Sequence, residues 1–77
     1  TQKMKVVALY LILCSAVGNQ CLEPHRFNTY DSHYDCMIAG NTESIKKIES
    51  LGKEPVNEVK IFIKFICAEE EQEKINL

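Results

Sequence analysis

Three patterns of apolar and polar positions divide the chain. Val6-Val7-Ala8-Leu9-Tyr10-Leu11-Ile12-Leu13-Cys14 is an unbroken uncharged run behind the basic flank Lys3-Met4-Lys5. Further on, Tyr34, Met37/Ile38, Ile45, Ile48 and Leu51 recur three, four or seven residues apart, which places them on one face of a helix. From Val59 the period changes: Val59, Ile61, Ile63, Phe65 and Cys67 alternate with Lys60, Phe62, Lys64 and Ile66, the pattern of a strand with one fully apolar face. These patterns predict a helix over about 32–51 and a strand over 58–67, with Cys21 to Tyr30 as an extended or irregular lead-in.

Local signals sharpen the boundaries. Asp31 or Ser32 suits the N-cap, and Asp35 stands three residues after Ser32 in a capping-box-like arrangement. Gly52 and Pro55 read as the stop. Gly40 lies inside the helix at a cost of about 1 kcal/mol relative to Ala, which suggests close packing against another backbone or a break into two pieces; one helix is the reading adopted. Glu43 with Lys47 and Glu49 with Lys53 are four apart and mark a solvated face. The acidic stretch Ala68–Lys74 reads as a solvated tail or frayed helix. A lone strand leaves its backbone groups unpaired, so 58–67 needs a neighbour: Gln20–Phe27, Val6–Leu13 or a second copy. The fold class expected is α+β, a small single domain with one amphipathic helix packed on a short sheet.

The opening segment bears on location. A basic flank, a short apolar run and the small residues Ala16-Val17-Gly18 have the layout of a signal peptide cleaved between Gly18 and Asn19. The expected organisation is therefore 1–18 as signal peptide or N-terminal apolar segment and 19–77 as a disulfide-stapled domain with an acidic tail. The run is short of the roughly 20 residues that span a bilayer, so a retained membrane anchor is the weaker reading, and a buried strand of an intracellular domain is another. Cleavage would leave seven Lys and Arg against 11 Asp and Glu, a net charge of 7 − 11 = −4 in place of −2. Neither value favours binding to nucleic-acid phosphates or anionic lipid. A domain this small usually needs covalent or metal support.

Cysteine supplies that support. Without the leader Cys21, Cys36 and Cys67 remain, and Cys36 near the helix start with Cys67 at the strand end is the pairing that clamps helix to strand; Cys21 with Cys67 is the runner-up. The odd thiol leaves room for an intermolecular bridge and a homodimer. Cys21, His25, His33 and Cys36 also form C-x3-H-x7-H-x2-C, four zinc-competent ligands at a spacing that is not a standard zinc module, and the plainer reading of both histidines is polar surface. His33 beside Cys36 could serve a reactive thiol, but a bridge would consume it. Asp31 and Asp35 suit a helix N-terminus better than acid–base catalysis. Lys60, Phe62 and Lys64 share a face that single-stranded nucleic acid could use, though lysines on an exposed strand more often discourage edge pairing. The chain has no phosphate-cradling glycine loop, G-x-S-x-G, H-E-x-x-H or Walker pattern. No catalytic residue, metal site or cofactor is assigned.

Gln20-Cys21, Tyr34-Asp35-Cys36-Met37-Ile38-Ala39-Gly40, Leu51-Gly52-Lys53-Glu54-Pro55-Val56-Asn57 and Ile61-Phe62-Ile63-Lys64-Phe65-Ile66-Cys67 together resemble a group of small uncharacterised proteins predicted from marine tailed phages and marine environmental sequence. The resemblance runs from Met4 to Glu70, and each motif alone is short. Pro55 departs from it, where an acidic residue is expected, and touches only the turn before the strand. The resemblance implies an exported accessory protein of phage origin and transfers no residue role. The function expected is non-enzymatic binding to a host envelope protein, in the periplasm or secreted, with no nucleic acid and with membrane contact only through the N-terminal segment. The alternatives are a membrane-retained peptide and a zinc-binding or thiol-reactive protein.

Overall fold

The N-terminal apolar run is a strand that touches every other strand of the molecule. In a computed structural model of the chain, residues 2–74 are described, and they run β1 (Gln2–Ser15), β2 (Gln20–Cys21), β3 (His25–Tyr30), α1 (His33–Leu51), α2 (Lys53–Val59) and β4 (Ile61–Lys74). β4 lies antiparallel to β1 along its whole length, from Gln2 opposite Lys74 to Ser15 opposite Ile61. On the other side of β1 lie β3, from Val7 opposite Tyr30 to Leu11 opposite His25 with an irregularity at Leu9/Tyr10, and β2, with Cys14 opposite Cys21. The result is α+β, an antiparallel sheet of four strands with one long helix across it.

The position of β1 explains its composition. Successive side chains of a strand point to opposite faces, and a middle strand can be buried on both. Val7 and Leu9 point toward α1 and form the core with Cys36, while Val6, Ala8 and Cys14 are buried on the opposite face. Both periods of the strand are therefore apolar, which is why the run does not alternate. The segment read as a leader is thus, in the intact chain, the centre of the sheet. Cleavage after Gly18 would remove the strand on which β3 and β4 both pair, so the fold described here belongs to the chain that keeps residues 2–15.

Helix α1 begins where its cap chemistry places it. Ser32 is extended, its Oγ accepts the Asp35 N–H at 3.1 Å, and its hydroxyl donates to Asp35 Oδ2 at 3.0 Å. The acid thus closes the box on the serine side chain rather than on its backbone. The helix runs unbroken through Gly40, which is buried because the Phe65 ring of β4 packs on it. It ends at Gly52, whose φ of 92° suits glycine.

Two boundaries differ from the sequence expectation. The strand expected from residue 58 starts at Ile61, because Lys53–Val59 is a second short helix. Pro55 stands in the first turn of α2, where a missing N–H costs nothing, so it opens a helix instead of ending one. The acidic stretch 68–74, read as a solvated tail, continues β4 in register with β1, from Ala68 opposite Ala8 to Lys74 opposite Gln2. Glu43 pairs with Lys46 at 3.4 Å rather than with Lys47, and Lys53 falls beyond the end of α1.

The backbone ladder has a definite phase. Ala16 N–H donates to Lys60 O at 3.0 Å, one step beyond Ser15 opposite Ile61. Bonded and non-bonded pairs alternate in an antiparallel ladder, so even-numbered residues of β1 and β4 bond each other. Leu22 N–H donates to Leu13 O at 2.8 Å, which confirms that odd-numbered residues of β1 serve the opposite neighbour. Odd-numbered residues of β4 consequently turn their N–H and C=O away from the sheet.

Candidate functional site

All four cysteines are consumed in two disulfides. Cys36, fully buried at the start of α1, is bonded to Cys67 of β4, and exposed Cys21 is bonded to Cys14 of β1. The first bond ties helix to sheet and the second closes the turn between β1 and β2. The partner of Cys21 lies in the segment that the sequence analysis assigned to the leader, so with residues 1–18 counted in the fold there is no odd thiol. While residues 1–18 are kept, every cysteine is bonded within the chain, and the odd thiol expected of a cleaved chain does not arise.

The same bonding dismantles the C-x3-H-x7-H-x2-C set. Cys21 and Cys36 sit in different disulfides, His25 lies in β3 and His33 is the exposed first residue of α1. Among the described residues no group of three or more His, Cys, Asp or Glu is placed to hold a metal ion. Cys36, bonded and buried, is likewise not a thiol that His33 could activate.

Beside α1, on the side of β2 and β3, lies an open groove of about 570 Å³. Its floor and outer wall are Leu11, Leu13, Leu22, Phe27 and Ile63, and Lys46 and Lys47 of α1 stand along its rim. Leu22 and Phe27 remain 66% and 43% exposed, large apolar side chains that the fold leaves in water. Lys46 is held by Glu43, whereas Lys47 has no ion pair among the described residues. The groove therefore joins apolar surface to an uncompensated cation, which suits a segment carrying an apolar side chain next to a carboxylate.

A polar network marks the opposite face of the sheet. The Tyr10 hydroxyl donates to Glu70 Oε2, and Arg26 Nη2 reaches Glu70 Oε1 at 2.8 Å. Three strands are joined by these contacts, since Tyr10 is in β1, Arg26 in β3 and Glu70 in β4. The guanidinium of Arg26, and then the Tyr10 hydroxyl, hold the Glu70 carboxyl below its ordinary range, and bonding to Glu70 raises the Tyr10 phenol above its own. Sequence reading did not single out Tyr10, Arg26, Glu70 or Cys14. Each acquires its role from a partner across the sheet, and no local motif announces it.

No helix among the described residues is long and apolar enough to cross a membrane. Comparison with protein-family models, with curated proteins and with solved structures finds no match for the chain.

Proposed function

We propose that this chain is a small exported binding protein, non-enzymatic, that works in the oxidising surroundings of the periplasm or envelope of a phage host. The observation that carries the reading is the pairing of every cysteine, because disulfides of this kind persist in oxidising compartments and are rare in reducing ones. The resemblance to marine phage proteins supports the host assignment. The working form keeps β1, since the sheet and the Cys14–Cys21 bond both depend on it. The groove beside α1 is the binding face, and its occupant is a segment of a host envelope protein that sets an apolar side chain on Leu22 and Phe27 and a carboxylate on Lys47.

The test is the intact mass of the protein recovered from cell fractions, with and without reduction. The reading expects a periplasmic or secreted product that retains Gln2–Ser15 and is four hydrogens lighter before reduction. A photo-crosslinker at Leu22 should then reach an envelope protein, and one at exposed Glu54 on α2 should not. A cytosolic product with every thiol reduced overturns the proposal.

A further inference from the structure

We infer that two copies of this chain join edge to edge through β4, antiparallel, to make one continuous sheet. This interface meets the groove of the proposed function at Ile63 alone among the residues named for each, and it holds independently of the compartment. Three observations converge on it.

The first is backbone. Among the described residues β4 is paired on one side only, by β1, and the phase of that ladder leaves the N–H and C=O groups of Ile61, Ile63, Phe65, Cys67 and Glu69 directed outward. An unpaired row of this length is a template for another strand.

The second is apolar surface flanking that row. Between α1 and β4 runs an open groove lined by Ile45, Ile48, Ile61 and Ile63, with Ile45 60% exposed. On the other face of β4, Ile66 is 50% and Phe62 39% exposed. A strand laid along the edge covers side chains on both faces at once.

The third is charge, which selects the occupant. On the face of β4 turned away from α1, the first half carries Lys64 and the second half Glu70. Lysines on an edge repel a strand of like charge, but an antiparallel copy can set Lys64 of each chain beside Glu70 of the other, adding a second cation to the carboxylate that Arg26 holds. With the two-fold axis at Cys67, outward-facing residues meet outward-facing residues, Lys64 of each copy stands opposite Glu70 of the other, and Ile66 stands opposite Ala68. The same arrangement is isologous and closes at two, so it does not propagate into fibres.

Sedimentation equilibrium of the full oxidised chain over a concentration series tests the inference, with hydrogen exchange read at the Ile63, Phe65 and Cys67 amides. The expected result is a dimer in which those amides slow as concentration rises. Glu69→Pro removes an outward N–H that β1 does not use, and Ile45→Glu charges the flanking groove without entering the core; at least one should weaken association tenfold or more while both disulfides stay intact. A chain that is monomeric up to about 0.5 mM overturns the inference. So does a dimer in which these amides exchange as fast as in the dilute chain, or one that neither substitution weakens. Should Glu69→Pro fail to fold, Ile45→Glu and the exchange rates decide alone.

Discussion

The aromatic ring of Phe65 occupies the space that a side chain at residue 40 would need. A Cβ at Gly40 would stand 2.8 Å from Phe65 Cγ and nearer still to the ring's edge carbons, so helix and sheet meet at a distance only glycine allows. Gly40→Ala gains about 1 kcal/mol of helix propensity and incurs about 1–3 kcal/mol of overpacking. Net destabilisation of up to about 2 kcal/mol is expected from urea unfolding. The pair Gly40→Ala, Phe65→Leu should recover most of it, because leucine can turn away where the ring cannot.

The two disulfides should open in order. Cys36 is fully buried, whereas Cys21 lies at the surface, so a reductant titrated into the folded protein reaches Cys14–Cys21 first. Alkylation and mass mapping at partial reduction check the order. The bonds span 7 and 31 residues, for which chain entropy gives about 2.4 and about 3.7 kcal/mol. Replacing both Cys36 and Cys67 by Ala should therefore cost more stability than replacing Cys14 and Cys21.

The Tyr10–Glu70–Arg26 network makes stability fall at both ends of the pH scale. Glu70 titrates below its ordinary value of 4.5 in the folded chain, so its contribution is complete above 4.5 and is lost as pH drops through the depressed value. Tyr10 titrates above 10.0, so its contribution is complete below 10.0 and is lost as pH rises through the raised value. Thermal unfolding followed against pH should show both arms, and Glu70→Gln should flatten each of them.

Removal of residues 1–18 should abolish the fold. β3 and β4 would lose their shared neighbour and Cys21 its partner, so far-UV circular dichroism is expected to lose its sheet signal and a thiol assay to find one reactive cysteine. A truncated chain that kept native-like dichroism would show that β1 is dispensable.

The cap of α1 is a local and separable contribution. Ser32→Ala removes the acceptor for the Asp35 N–H and should lower stability by about 1 kcal/mol, measured by the same unfolding experiment.

What the sequence made legible was local. The Ser32 cap, the helix to Leu51 and the alternation from Ile61 to Cys67 depend on neighbours a few positions away, and all can be read from spacing. What it hid depended on distance. Residues 68–74 look like a solvated tail until β1 is found alongside them, and Val6 to Cys14 reads both as a leader and as a strand, its central place resting on β3 and β4 far along the chain. Pro55 carries one local meaning at the end of a helix and another in its first turn, and only the backbone chooses. The candidate groove was the least legible part, because Leu11, Leu22 and Lys47 come from three separate elements.

The longest strand pairing among the described residues joins β1 to β4. A chain emerging from the ribosome therefore displays Gln2–Ser15 before Ile61–Lys74 exists to receive it, and the β1–β4 ladder waits until that later segment has been made. Until then β1 has only β2 and β3 beside it, and the edge that β4 will cover stays open.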